Sequence, residues 1–372
     1  MSKEQKELVN IVRELMRNEV YPTILEKDRA GGDPFDWSYV ELLAQHNLIV
    51  PVIPEEYGGR GLDYVSSALI IEEIAAACAG LAACMVGTIH ALLPVIIAGS
   101  GSQKRNWLPL FTKKKPILAS FALTEPKGGS DIEKLETTAE LKEGFYYING
   151  IKDFVINGAV ADYVLACTCG EEKRRATYRF FMVPRDQVRI SKVIKTMGIK
   201  YANTSQILLE NATVSEEHLI GDPRTTYLLL NQILDLGRPL IGAIQIGIAR
   251  AALEMVLRYS QEREQFGRPI ISNQGVSFPL ARMATNIDAA RLMVWKACAL
   301  IDQEGDYTKA SSMARLFTSR VGQAVTAAAI DLMGGQGYTD ENPLNMYFRD
   351  AKVCSIVGGT DNVQQMIIAS LL

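Results

Sequence analysis

The chain has 372 residues, with 39 Lys plus Arg against 42 Asp plus Glu and a formal charge of −3. That length allows two or three domains and a sizeable core. No basic tract stands out that could neutralise a row of phosphates, which argues against a nucleic-acid partner.

The first residues, MSKEQKELVN, are polar and charged with no apolar h-region, which predicts no secretory signal and a cytoplasmic location. Residues 1–115 read as helices: EQKELVNIVRELMRNEVYPTI, WSYVELLAQHN and YVSSALIIEEIAAACA, punctuated by AGGDP and PEEYGGRG. From Ile74 to Gln103 no residue is formally charged, a run long enough to cross a bilayer. It holds His90, Pro94, Gly80 and Gly87 and lacks anchoring flanks, so the expectation is a helix buried in a large core and no membrane span. Between 116 and 225 the period changes to two. GFYYINGIKDFVING, DYVLACTC, YRFFMVP and SQILLENATV predict a small antiparallel β-domain. The six cysteines have no ligand-like spacing apart from Cys167 and Cys169, which share one face of a strand and read as small apolar residues, so no metal site is expected. From 226 to 372 long helices return. In the segment 280–301 the residues Leu280, Met283, Ile287, Ala290, Val294, Ala297 and Ile301 form one apolar stripe, which predicts a helical bundle suited to subunit association.

FALTEPKGGSD, residues 121–131, is the most specific segment. Gly128 and Gly129 allow close backbone approach, and Thr124 and Ser130 add hydroxyls, a combination suited to the polar edge or phosphates of a cofactor. Taken alone, a capped turn explains it equally well. With PEEYGGRG, NGIKDFVING, REQFGRPI, DLMGGQGY and YFRDAKVCSIVGGT in order along the chain, the sequence resembles the acyl-CoA dehydrogenase family of flavoproteins. The resemblance implies an α+β fold: an N-terminal helical domain, a middle antiparallel β-domain and a C-terminal four-helix bundle, with FAD between the last two. It implies that Phe121, Leu123, Thr124, Gly129 and Ser130, with Phe154, Val155 and Ile156, line the flavin. From a neighbouring subunit, Arg263, Phe266 and Gln274 would reach the pyrophosphate and adenine, completed by Asp331, Leu332, Met333, Gly334 and Gly335. Thr360 and Asp361 join the cofactor set, while Ser130, Asp235 and Arg238 would face an acyl-CoA substrate. For Arg263 an ordinary surface ion pair with Glu262 or Glu264 is the competing reading. The resemblance further implies a homo-oligomer, a dimer of dimers, and an electron-transfer flavoprotein as redox partner.

Two departures concern the flavin: Phe154 stands where the family usually has Trp, and Ile156 where it has a hydroxyl residue, so that contact must come from backbone. A larger departure concerns the proton. The family's base is a glutamate, and both of the positions where it occurs carry glycine here, Gly358 and Gly237. A missing base costs about 10²–10⁴ in rate. Three readings follow. The base is elsewhere, with His90, Asp235, Cys354 and Asp361 as candidates and His90 first. Alternatively, the chemistry needs no such base, as in enoyl-CoA reduction or desulfination. Or the chain is a non-catalytic subunit of a heteromeric dehydrogenase. The glycines are also expected to leave a carboxylate-sized space for a bulkier or polar acyl group.

Overall fold

The computed structural model describes residues 1–170 and 177–372. Its first part is helical: α1 (Lys3–Leu15), α2 (Tyr21–Arg29), α3 (Trp37–Gln45), α4 (Tyr64–Ala77), α5 (Ala79–Ala98) and α6 (Gly101–Trp107). Ser2 and Gln5 cap α1 reciprocally, and the Asp63 carboxylate accepts from Ser66 N at the start of α4. In α5 every residue from Ala79 to Val95 is buried, as expected of a charge-free helix inside a large core. Pro94 lies within α5 and has no N–H, so the carbonyl of His90 four residues earlier loses its helical partner.

Eight strands follow: β1 (Ala119–Ala122), β2 (Thr138–Lys142), β3 (Phe145–Val155), β4 (Tyr163–Thr168), β5 (Arg179–Pro184), β6 (Arg189–Val193), β7 (Ser205–Ser215) and β8 (Leu219–Ile220). They form two four-stranded sheets, ordered β1-β4-β5-β8 and β2-β3-β7-β6. The domain is antiparallel except for one pair. β1 and β4 run parallel, because the chain leaves the first sheet after β1, makes the β2–β3 hairpin in the second, and returns by a crossover. Cys167 and Cys169 are buried in the main core, in keeping with their apolar reading.

The C-terminal part holds α7 (Thr226–Glu262), the hairpin β9 (Glu264–Gln265) and β10 (Arg268–Pro269), α8 (Gln274–Asp302), α9 (Thr308–Met333), α10 (Pro343–Val353) and α11 (Asp361–Ser370). All seven stripe residues of α8 are buried. A buried ion network fastens this bundle to the N-terminal helices. Glu72 and Glu73 on α4 take Arg250 of α7 at 3.1 and 2.8 Å, Arg291 of α8 at 3.0 Å and Arg13 of α1 at 2.9 Å. Four helices are thereby tied at one point, and α5, continuous with α4 through Cys78, is held against α7. Breaking a buried pair costs about 3–5 kcal/mol, because the remaining charge is left uncompensated.

Candidate functional site

Three elements carry the flavin-type motif. After β1 the chain turns tightly, Glu125 and Gly128 exchanging backbone hydrogen bonds at 3.1 Å each way. Beside it β3 is irregular: the ladder with β7 shifts register between Lys152 and Val155, and Phe154 takes φ +52. That left-handed conformation is costly for a bulky residue, and it turns the ring outward, where 62% of it is exposed. The Asp153 N–H donates to the Thr124 carbonyl at 2.9 Å, locking the bulge to the turn. Behind both, Asn157 is fully buried, and its Nδ2 donates to the carbonyls of Cys84 at 2.9 Å and Ala119 at 3.0 Å, joining α5 to β1.

This arrangement fits a flavin on its own evidence. Among the described residues, the N–H groups of Thr124 and Ile156 have no acceptor. Both residues are half-buried, so water or a ligand can take these N–H groups. The Ile156 side chain cannot donate, so its N–H is the donor that position offers. Beyond Thr124 the turn is open: a Cβ on Gly129 would meet only Thr124 Cγ2, at 3.8 Å. Gly129 and Ser130 are exposed at its rim.

The space expected at the two glycines is occupied at Gly237 and narrowed at Gly358. A Cβ on Gly237 would fall on Nε2 of His90, so the imidazole from α5 occupies the place of a side chain from α7. A Cβ on Gly358 would approach Cδ1 of Ile241 to 2.5 Å, one helical turn beyond Gly237. Gly358 and Gly359 also have φ of +68 and +90. Arg315 donates to the Val357 carbonyl at 2.7 Å, and Gln364 Nε2 donates to the carbonyls of Gly358 at 3.1 Å and Gly359 at 3.0 Å. A turn whose carbonyls are all drawn inward onto two buried side chains needs left-handed residues, and glycine adopts that conformation without strain. The carboxylate-sized vacancy expected from sequence is therefore corrected: a histidine takes one slot and an isoleucine narrows the other.

His90 is set for one tautomer. Its Nδ1 lies 2.9 Å from the Val86 carbonyl, which only accepts, so Nδ1 carries the proton and Nε2 keeps a free lone pair. The ring stacks on Phe121 of β1, centroids 6.2 Å apart and planes 17° apart. Burial lowers its pKa to about 4, against a smaller upward pull from the Val86 carbonyl. The imidazole is thus neutral at physiological pH.

The other candidate bases are engaged elsewhere. Asp235 pairs with Arg238 and accepts from Thr308 Oγ1 at 2.7 Å. Arg238 is buried with it, and burial, then the neighbouring Arg315 charge, lowers its pKa to about 10. Cys354 is buried, and burial pushes its thiol up to about 11. Asp361 opens α11, accepts from Ser319 at 3.1 Å and faces Arg315. Thr360 caps the same helix, its hydroxyl accepting from Val363 N. Of the residues expected from a neighbouring subunit, Arg263 and Gln274 are exposed, Phe266 is 99% exposed on the β9–β10 hairpin, and Asp331 to Gly335 close α9 at a distance along the bundle. Asn157 and Ile241 were not singled out by the sequence reasoning.

A tight turn and a bulged strand with free backbone donors lie close to a neutral buried imidazole, an arrangement compatible with a flavin-dependent dehydrogenase. Family models match the acyl-CoA dehydrogenase N-terminal domain over residues 2–115, the middle domain over 120–212 and the C-terminal domain over 227–372. An acyl-CoA dehydrogenase of Bacillus subtilis is 35% identical over 378 aligned positions, covering 100% of this chain and 98% of the relative. The structure of butyryl-CoA dehydrogenase from Megasphaera elsdenii superposes with a TM-score of 0.96 at 29% identity, covering 100% of this chain and 98% of the other. An acyl-CoA dehydrogenase from Bacillus anthracis, solved with FAD, gives 0.93 at 29% identity, covering 100% of this chain and 67% of the other. The chain belongs to the acyl-CoA dehydrogenase family. It is an oxidoreductase acting on CH–CH donors, and its cofactor is FAD.

Proposed function

We propose that the chain dehydrogenates the Cα–Cβ bond of an acyl-CoA thioester with a relocated base, His90. The observation that carries this reading is the coincidence of His90 Nε2 with the position of a Gly237 side chain. A minority of the family carries its base at that point, and α5 brings a lone pair to the root of that side chain. FAD supplies acceptance of hydride from Cβ. The chain's own residues do the rest. Val86 holds the Nδ1 proton, Phe121 fixes the ring plane, and the neutral Nε2 accepts the α-proton. An imidazole with a pKa near 4 is a weaker base than an unperturbed one, but it is fully in the basic form at neutral pH, and position contributes more than basicity when the reacting atoms are held in line. The terminal methyl of Ile241 narrows the neighbouring slot at Gly358, which favours a compact acyl group there.

The division into residues 1–115, 116–225 and 226–372 belongs to the same reading. So do a homo-oligomer, in which the fully exposed Phe266 and the exposed Arg263 find their partners on another subunit, and an electron-transfer flavoprotein as acceptor. Anaerobic mixing of the yellow protein with a saturated acyl-CoA tests the central step. The wild type should bleach the flavin band. His90→Gln should retain FAD and bleach about 10²–10⁴-fold more slowly. Equal rates would remove His90 from the chemistry and leave the base-free reactions, which reoxidation of reduced protein by an enoyl-CoA would then identify.

A further inference from the structure

The middle domain contains a buried charged pair directly behind the turn after β1 and the bulge of β3. Lys152 of β3 is 0% exposed. Its Nζ donates to Glu125 Oε1 at 2.8 Å and to the Leu123 carbonyl at 3.1 Å. The Glu125 carboxylate also accepts from the Thr137 N–H at 2.9 Å, the Thr137 hydroxyl at 2.5 Å and the Glu136 N–H at 2.5 Å. One ammonium and one carboxylate therefore gather the end of β1, the start of β2 and the bulge of β3. A pair this deep gains little net stability over apolar replacements, so its presence calls for a further reason.

That reason lies in one peptide group. The Leu123–Thr124 peptide is planar and trans, so its C=O and N–H point in opposite directions. Lys152 holds the carbonyl inward. The Thr124 N–H must then point away from the interior, toward the open side of the turn, where it has no acceptor among the described residues. The Asp153 N–H bonds the next carbonyl, that of Thr124, and keeps the plane from rotating. A carbonyl bonded to an ammonium also polarises its own N–H, which strengthens it as a donor.

We infer that Lys152 is a positioning residue for the flavin: through the Leu123 carbonyl it aims and polarises the Thr124 N–H at the ring's polar edge, and Glu125 anchors the ammonium. This inference stands whether or not His90 takes the proton. The isolated alternative is that Lys152 only neutralises Glu125.

Three variants of the holoprotein separate the two: Lys152→Met, Glu125→Gln and the double variant. Each is measured for FAD dissociation on dilution, for flavin reduction potential by spectroelectrochemical titration, and for folding by circular dichroism. Loss of one charge-assisted contact predicts about a tenfold weaker FAD affinity for Lys152→Met, with a more negative potential because a positive charge near the reduced ring is gone. The double variant should behave like Lys152→Met, and Glu125→Gln should stay within about threefold of wild type, since the carbonyl contact survives. Recovery of wild-type affinity in the double variant would overturn the inference in favour of charge neutralisation. A folded Lys152→Met with unchanged affinity and potential would overturn it as well. If Lys152→Met does not fold, the double variant carries the test, having no uncompensated charge. If neither folds, Lys152 is a determinant of folding and not of flavin position, and the inference fails.

Discussion

Gly237 and Gly358 are the same residue in two equivalent roles, yet the structure gives them opposite reasons. At Gly237 the backbone is an ordinary helix inside α7, and glycine is required by a neighbour: the His90 imidazole occupies the side-chain position. At Gly358 glycine is required by the backbone itself, with φ at +68 and the flanking carbonyls held by Arg315 and Gln364. One site exchanged its side chain for a polar ring delivered from another helix. The other surrendered its side chain to an apolar atom, Ile241 Cδ1. Under the proposed function, a glycine at a base position does not by itself end the chemistry; the group packed against it decides what remains possible.

Three substitutions sharpen that contrast. The largest effect belongs to Gly237→Ala, which adds a methyl to an occupied, fully buried position. Overpacking of this kind costs about 1–3 kcal/mol or more. Thermal denaturation should show a clear loss of stability that is largely recovered in the Gly237→Ala/His90→Ala double variant; strict additivity of the two changes would break the interlock.

Gly358→Glu and Gly358→Gln come next. Both must adopt a left-handed conformation costing about 1–3 kcal/mol, and both meet Ile241. The two variants should lose stability and activity alike. A Glu variant that gains dehydrogenation over Gln would show that the slot still accepts a base, and that the apolar narrowing described above does not exclude one.

The smallest effect is on pH. Burial lowers His90 to about 4, below its ordinary value of 6.5. If His90 is the base, its neutral form persists, and kcat/KM should stay level down to about pH 4 instead of falling near 6.5. Stability moves the other way. The unfolded chain binds this proton below about 6.5 and the folded chain only near 4, so the contribution present above 6.5 is lost progressively as pH falls toward 4. An acid limb of kcat/KM at 6.5 would place a different or unshifted group in the reaction.

Much of the architecture was legible because it rests on local periodicity. The apolar stripe of α8 and the charge-free run of α5 each announced a buried helix, and the strands with alternating aromatic and β-branched residues appeared where expected. β1, β2, β6 and β8 were not foreseen; β1 and β8 are only four and two residues long, and β2 and β6 lack an apolar alternation. The exposed faces of β2 and β6 carry Glu140, Lys142, Arg189 and Lys192, which erase it. Both glycine slots were identified from motif order, but their occupants were not. His90 meets Gly237, and Ile241 meets Gly358, only after long-range folding, and no spacing in the sequence records those approaches. Lys152 did leave a signal. It falls in phase with Ile148 on the inward face of β3, where a lone lysine in an apolar register demands a buried carboxylate.

The central claim, that an imidazole at the 237 position takes the α-proton, is tested most directly by chemical rescue. His90→Ala opens a ring-sized space beside Gly237, and anaerobic bleaching by a saturated acyl-CoA is followed as free imidazole is added, with the much weaker base pyrazole as the control of equal size. The account predicts slow bleaching in the variant alone, acceleration that rises with imidazole concentration, and little or none with pyrazole. Wild-type bleaching by His90→Ala without additive, or equal acceleration by the two heterocycles, would contradict it.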